Sequence, residues 1–376
     1  MHKRIKYGMV GGGQGAFIGA VHRIAARIDD QFELVAGALS SNAERAATSA
    51  AELGILPERA YSSFEDMAKM EAQRADGIEA VSIVTPNHMH FPVAKAFLEA
   101  GIHVICDKPL TSTLEDAIEL KKIADASDAE FILTHNYSGY PMVRHAREMV
   151  QSGSIGKIRK VHVEYIQDWL SNAADDDNKQ AAWRTDPARS GIGGAIGDIG
   201  THAFQLAHFI SGDPVKELAA DLTSFVDGRK VDDDTHMLLR FESGAKGYLW
   251  ASQVAPGNEN SLKIRVYGEK GGLEWEQENP NILTVGMFGE PKHTITRGGN
   301  GAGDAANAVT RTPGGHPEGY LEGFATIYRE AADIVREGRK PESLSPTVDE
   351  GLAGMRFIDA AVRSSKANAQ WVSLDN

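Results

Sequence analysis

The sequence predicts an α/β protein of two domains: a doubly wound parallel sheet, then a second domain built on an antiparallel sheet. Three observations carry this. Short apolar runs alternate with helical stretches from residue 5 to about residue 136. A glycine-rich turn follows the first run. From residue 157 onward, strand follows strand with little helix between them. At 376 residues the chain is also too long for one ordinary core.

Residues 5–10 form a short apolar strand that runs into Gly11-Gly12-Gly13, then Gly15 and Ala16. Read as G-x-G-x-x-A through Gly11, Gly13 and Ala16, this opens a dinucleotide-binding βαβ unit. Gly11 permits the turn, and Gly13 lets the backbone approach a pyrophosphate. Ala16 lets helix and strand pack closely, and the helix N-terminus faces the anion. The same turn can join a strand to a helix with no ligand at all. The other strands expected in this sheet are 32–39, 80–84, 103–106 and 131–134. Helices are expected at 16–28, 42–53, 64–73, 90–100 and 114–126.

Ligands bind such sheets at the carboxyl ends of the strands, so the residues just after each strand are the informative ones. After the second strand stands Ser40-Ser41-Asn42-Ala43-Glu44-Arg45, with no acid at the strand end to bond ribose hydroxyls. Ser40, Ser41 and Arg45 suit a 2′-phosphate; alternatively Ser41 or Asn42 caps the next helix. NAD and NADP both stay open. After the third strand comes Thr85-Pro86-Asn87-His88-Met89-His90. Pro86 ends the strand, and Asn87 caps a helix where a nicotinamide-side ribose would lie. The pair His88 and His90 has no further ligands nearby, so no metal site is expected. After the fourth strand comes Cys106-Asp107-Lys108-Pro109-Leu110. Lys108 is either a ligand-facing lysine or one half of a surface ion pair with Asp107. Pro109 admits a cis peptide that would aim Lys108. The fifth strand ends at Thr134-His135-Asn136-Tyr137.

A helix is expected at 141–152, and then strands at 157–168, 215–226, 235–241, 245–252, 261–267 and 272–275. One face of that sheet would be packed and the other available for oligomerisation. A long loop, 170–194, carries Asp175, Asp176 and Asp177, read as solvated, then Trp183 and Arg184. It leads to Gly197-Asp198-Ile199-Gly200-Thr201-His202, which opens a helix to about residue 210. Asp198 and His202 are i and i+4, hence on one helix face. A carboxylate one turn before a histidine suits an oriented base; the competing reading is a capped helix with a polar core histidine. Two amphipathic helices, 318–337 and 347–367, end the chain. His316 and Tyr320 precede or begin the first, as a helix entry or as a loop reaching a substrate pocket.

The apolar fraction of 42% and charged fraction of 24% are those of a globular protein in water. The net charge of −13 argues against nucleic acid and anionic membranes as partners. The lone Cys106 excludes a disulfide framework. Met1-His2-Lys3-Arg4 enters a strand directly, with no signal-peptide core and no run of ~18 apolar residues. A cytoplasmic setting is expected.

Together these residues resemble the Gfo/Idh/MocA family, the relatives of glucose–fructose oxidoreductase and inositol dehydrogenase. The resemblance runs over essentially the whole chain. It rests on Gly11-Gly12-Gly13-Gln14-Gly15, Thr85-Pro86-Asn87-His88-Met89-His90, Asp107-Lys108-Pro109, Gly197-Asp198-Ile199-Gly200-Thr201-His202 and His316-Pro317-Glu318-Gly319-Tyr320. Where the family commonly has Glu-Lys-Pro, this chain has Asp107-Lys108-Pro109. The resemblance implies a Rossmann domain at 1–136. It implies an α/β domain with an open, mainly antiparallel sheet at 137–376, whose C-terminal helices can pack back on the first. It implies NAD or NADP, a sugar, glycoside or cyclitol substrate, and a homodimer or homotetramer. Lys108, Asp198 and His202 would be the catalytic set. Gly11, Gly13, Gln14, Gly15, Ala16, Ser40, Ser41, Arg45, Thr85, Asn87, His90, Lys108 and Asn136 would hold the cofactor. Tyr165, Gln167, Arg184, His316 and Tyr320 would join the catalytic three on the substrate. Reversible hydride transfer is the expected chemistry. An oxidoreductive glycosidase or sugar–sugar transhydrogenase that recycles its cofactor is the first alternative, and a non-catalytic dinucleotide-binding regulator the second.

Overall fold

A computed structural model describes residues 3–172 and 184–374. The acidic residues Asp175, Asp176 and Asp177, and Trp183, lie outside the described residues. The chain divides into two compact units, Met1–Asn136 with Tyr320–Leu352, and Tyr137–Gly319 with Ala353–Asn376.

Unit 1 is a five-stranded parallel sheet in the order β2-β1-β3-β4-β5. Its strands are β1 (Ile5–Gly11), β2 (Phe32–Ala38), β3 (Ala80–Val84), β4 (His103–Cys106) and β5 (Phe131–Leu133). The central β3 is buried at all five positions, as a parallel strand covered on both faces must be. The helices are α1 (Phe17–Ile28), α2 (Ala43–Glu52), α3 (Phe64–Gln73), α4 (His90–Glu99) and α5 (Leu114–Ala126). The strand order reverses between β1 and β3, where Gly11 pairs with Val84. That reversal is the topological switch point at which open α/β sheets bind ligands.

The close packing of α1 on the sheet differs from the sequence reading. Ala16 is the residue before the helix, with extended backbone (φ −96, ψ 113). The close approach belongs to Gly12 and Gly19: a Cβ on Gly19 would lie 2.4 Å from the Gly12 Cα. Both positions need glycine because backbone faces backbone.

Unit 2 begins with α6 (Pro141–Gln151) and β6 (Ile158–Ile166), and later carries α7 (Thr201–Ser211). The strands β7 (Val215–Thr223), β8 (Asp234–Phe241), β9 (Lys246–Ser252), β10 (Ser261–Gly268) and β11 (Gly271–Glu276) follow. Then come β12 (Ile282–Met287), β13 (His293–Thr296) and a short β14 (Val372–Ser373). They form a nine-stranded sheet in the order β13-β12-β11-β10-β6-β9-β8-β7-β14. Every pairing is antiparallel except β6 with β9. In β8, Thr235, Met237, Leu239 and Phe241 are buried while His236 and Leu238 are exposed, so one sheet face is covered and the other open.

The chain returns to unit 1 in α8 (Tyr320–Glu337), before α9 (Val348–Lys366). Of the range 137–376, Tyr320–Leu352 thus joins the first unit, in line with C-terminal helices that pack back on it. Phe324, Ile327, Tyr328, Ala331 and Ile334 of α8 share one core cluster with Ile5, Tyr7, Val21 and Phe32, and that burial holds Tyr320–Leu352 in the first unit. Among the described residues, no helix is long and apolar enough to cross a membrane.

Replacing Gly19 by Val forces α1 away from Gly12 and is expected to cost about 1–3 kcal/mol of stability. Gly354→Ala in α9, where an added Cβ meets nothing within 4 Å, is expected to be neutral or to stabilise by up to ~1 kcal/mol. Urea midpoints of the two variants measure the difference; equal losses would contradict the backbone contact.

Candidate active site

At the first turn, Gly11 has φ +80, and a Cβ there would lie 2.8 Å from the Val84 carbonyl oxygen. Gly13 donates its N–H to the Leu39 carbonyl (3.2 Å). A Cβ on Gly13 would lie 2.6 Å from that same oxygen and 2.9 Å from Ser49 Oγ. The Gln14 N–H donates to Ser49 Oγ (3.1 Å) and its side-chain amide to Glu52 (2.7 Å). Gly15 is exposed, also with positive φ, and α1 starts without a side-chain cap. The result is a backbone cradle in front of uncapped helix N–H groups, which is the arrangement an anion needs.

After β2, Asn42 caps α2 by accepting the Arg45 N–H (2.9 Å), and Ser40 Oγ accepts the Asn42 N–H (3.1 Å). Ser41 and Arg45 are exposed, and no acid stands directly at the end of β2. After β3, Asn87 is buried and the Thr85 hydroxyl oxygen is buried with no hydrogen-bond partner among the described residues. The Asn136 side-chain nitrogen, just past β5, is in the same condition.

His90 needs a correction. It is buried, with Nδ1 2.7 Å from the Pro109 carbonyl and Nε2 3.0 Å from the Thr85 carbonyl. Both ring nitrogens face backbone of the chain itself. A neutral ring carries one N–H, so His90 donates to one of these two carbonyls, and both its nitrogens are turned to backbone and away from a dinucleotide. Burial lowers its pKa.

The Lys108–Pro109 peptide is cis. Asp107 donates its N–H to Ile83 (2.9 Å), and its Oδ1 accepts from Thr134 Oγ1 (3.0 Å) and lies 3.8 Å from His22 Nε2. Burial acts to raise the Asp107 pKa, but the facing His22 imidazole, with Lys108 and His90, holds it well below the usual carboxylate range. The carboxylate is thus turned inward and is not half of a simple surface pair. The neighbouring His135, absent from the sequence-derived set, is buried; burial and the charge of Lys108 push its pKa down to about 3.

These features answer whether a dinucleotide fits. Two orphaned buried polar atoms, Thr85 Oγ1 and Asn136 Nδ2, stand at carboxyl ends of strands, at the same end of the sheet as the glycine turn, where Gly13 lies so close to Leu39 and Ser49 that no Cβ fits. The residues fit the group.

In unit 2 the segment Ile196–Gly200 is a π-helical turn leading into α7. Such turns are rare and frequent at functional sites. Asp232 holds it: its two carboxylate oxygens accept the N–H groups of Gly194 (2.7 Å) and Ile196 (2.8 Å). A Cβ on Gly194 would lie 2.0 Å from the Asp232 carbonyl oxygen. Asp198, inside the turn, accepts from Arg184 Nε (3.1 Å) and Gln253 Nε2 (2.9 Å). The sequence reading placed Asp198 and His202 one turn apart on a regular α-helix; the π-helical turn alters that spacing, and Gln253 was not foreseen.

The His202 ring meets Tyr137 edge-on at 4.8 Å and lies 6.1 Å from the Tyr165 ring. The two tyrosine hydroxyls are 2.7 Å apart, and Tyr165 and Gln167 both donate to Asn260 Oδ1 (2.7 Å each). Trp169 donates to Gln167 (2.9 Å), and the Arg184 guanidinium sits over the Trp169 ring at 5.8 Å. The structure thus gathers Tyr165, Gln167, Arg184, Asp198 and His202, and adds Tyr137, Gln253 and Asn260. Tyr137 was visible as the residue after Asn136; Asn260 and Gln253 carry no spacing signal. His316 is exposed on a loop pinned through its backbone by Arg297, and among the described residues it is outside this hydrogen-bonded group. Tyr320 belongs to unit 1, where its ring packs on Phe324 at 5.2 Å.

Comparison with known proteins agrees with this chemistry. Residues 5–137 match the oxidoreductase family with an NAD-binding Rossmann fold, and residues 143–274 match the GFO/IDH/MocA C-terminal domain. The chain is 38% identical to an uncharacterized oxidoreductase of Bacillus subtilis, over 98% of this chain and 97% of that one. It is 57% identical to an oxidoreductase from Sinorhizobium meliloti of known structure, with a TM-score of 0.90 over 99% and 100% of the two chains. It is 35% identical to an inositol dehydrogenase homolog from Azotobacter vinelandii, solved with NADH and myo-inositol, with a TM-score of 0.91 over 99% and 98%. The fold and the dinucleotide cradle define an NAD(P)-dependent oxidoreductase. The chain belongs to the Gfo/Idh/MocA family.

Burial raises the Asp232 pKa from 3.8 to about 6, against the pull of the two N–H donors. A folded pKa above the unfolded one contributes stability that is full below about pH 4 and is lost as pH rises through about 6. Urea midpoints of the wild type are therefore expected to fall, relative to those of Asp232→Asn, across that window. Parallel curves for the two proteins would contradict a buried, titrating Asp232.

Proposed function

We propose that the protein reversibly oxidises a secondary or anomeric hydroxyl of a sugar, glycoside or cyclitol. The observation that carries this reading is the wall around His202, where phenol, amide and guanidinium groups of Tyr165, Gln167, Asn260 and Arg184 adjoin a half-exposed tryptophan. Fixed hydroxyl and amide partners beside an aromatic face suit a ligand made of ring carbons and hydroxyls. When bound, the nicotinamide supplies the hydride acceptor. The backbone at Gly11, Gly13 and Gly15, with Thr85, Asn87 and Asn136, would hold the dinucleotide. Ser41 and Arg45 leave room for either NAD or NADP.

His202 takes the hydroxyl proton as general base. Asp198, fixed by Gln253 and Arg184, favours the charged imidazolium that results. Lys108 donates a hydrogen bond to the same oxygen as it gains alkoxide character. Tyr165, Gln167 and Arg184 orient the remaining hydroxyls. The open face of the nine-stranded sheet, with Leu238 exposed, is the surface we assign to a homodimer or homotetramer contact.

A spectrophotometric screen of sugars, glycosides and cyclitols with NAD and NADP tests the activity. Lys108→Ala and His202→Ala are each expected to slow single-turnover oxidation by about 10²–10⁴-fold, while His202→Ala leaves cofactor affinity unchanged. Near-wild-type rates in both would sink the scheme. Release of an aglycone without net reduced cofactor would assign the redox-neutral cycle in its place.

A further inference from the structure

We propose that His22 is a positioning residue for Lys108, acting from inside the first unit on the carboxylate that precedes the lysine. The proposal rests on the role given to Lys108 above. His22 lies on α1, fully buried. Its Nδ1 is 2.8 Å from the Tyr328 hydroxyl, which is 2.6 Å from Ser82 Oγ. Its Nε2 has no hydrogen-bond partner among the described residues and faces Asp107 Oδ1 at 3.8 Å.

Two proton arrangements are open to a neutral ring. In one, Nδ1 donates to Tyr328 and Tyr328 to Ser82, which leaves a bare Nε2 lone pair facing a carboxylate. In the other, Ser82 donates to Tyr328 and Tyr328 to Nδ1, so the ring proton sits on Nε2 and points at Asp107. The second is attractive and the first repulsive, so Asp107 selects it. Thr134 sends its hydroxyl proton to the same Oδ1. The polar groups of this pocket thus converge on one oxygen.

A purely space-filling residue would not need this. A fully buried imidazole with one ring nitrogen unsatisfied costs free energy that a leucine or phenylalanine would avoid. The carboxylate explains why a polar ring is kept. The charged or titratable groups around Asp107 are His22, Lys108, His90, His135, Cys106 and Tyr328. Of these, His90 clamps the Pro109 carbonyl on the far side of the lysine. Lys108 is therefore held at both neighbours, by His22 through the Asp107 side chain and by His90 through the Pro109 backbone.

The test separates the two ring nitrogens. In His22→Gln the amide can still donate toward Asp107; in His22→Asn it reaches only toward Tyr328. Turnover is expected to drop about tenfold in His22→Asn, with cofactor dissociation constant unchanged, and to be largely retained in His22→Gln and Tyr328→Phe. Carbon-13 NMR of the Asp107 carboxyl supplies a readout independent of turnover: its titration should move up toward the ordinary carboxylate range in His22→Asn and not in His22→Gln. On the wild type, nitrogen-15 NMR should show His22 protonated at Nε2, which decides the matter even if the Asn variant fails to fold. A proton on Nδ1, or an Asp107 titration indifferent to His22→Asn, overturns the proposal. If Lys108→Ala turns over normally, the functional reading falls instead, while the Asp107 titration still decides whether His22 acts on the carboxylate.

Discussion

One phenol closes the polar interior of the first unit. Tyr328 arrives from α8, more than three hundred residues after His22, and its hydroxyl is within hydrogen-bond distance of both His22 and Ser82. Its ring packs edge-on against Phe32 at 5.5 Å. Removing α8 would strip the apolar cover from α1 and leave two buried polar side chains without their shared partner. A buried polar group left without a partner costs free energy. The return of the chain to its first unit therefore completes both the apolar core and this polar cluster.

Two aspartates, Asp107 partly and Asp232 fully withdrawn from solvent, show how surroundings set the same group in opposite directions. Asp107 faces the His22 ring N–H and precedes a lysine, and these together outweigh burial and keep it ionised. Asp232 has backbone N–H donors on one side and Asp233 as its neighbour, so burial prevails and its pKa rises to about 6. The first serves the loop that carries Lys108. The second serves the π-helical turn that carries Asp198. Each loop bearing a proposed catalytic side chain thus has an acid behind it, and neither acid is given a chemical role.

Much of this was legible along the chain. The strand–helix alternation, the glycine turn, Lys108 after β4 and the change to antiparallel strands are all local patterns, and local patterns survive translation into structure. What was not legible depends on distant pairs. Gly19 supplies the close contact credited to Ala16 because backbone approach depends on which helix face meets the turn. Gln253 and Asn260 carry no spacing signal, and only the folded sheet sets them beside Asp198 and Tyr165. The π-helical turn is invisible in the sequence because it is imposed by Asp232, some thirty residues downstream. The strands β12, β13 and β14 were missed; β13 and β14, four and two residues long, have too little periodicity to read.

The central proposal is that Lys108 and His202 serve the same chemical step. A double-mutant cycle in single-turnover kinetics measures this directly, using Lys108→Met, His202→Gln and the double variant. Groups acting as a unit on one proton transfer give grossly non-additive losses, so the double variant should be little slower than the slower single one. Losses that simply multiply would show two independent contributions and would contradict the account.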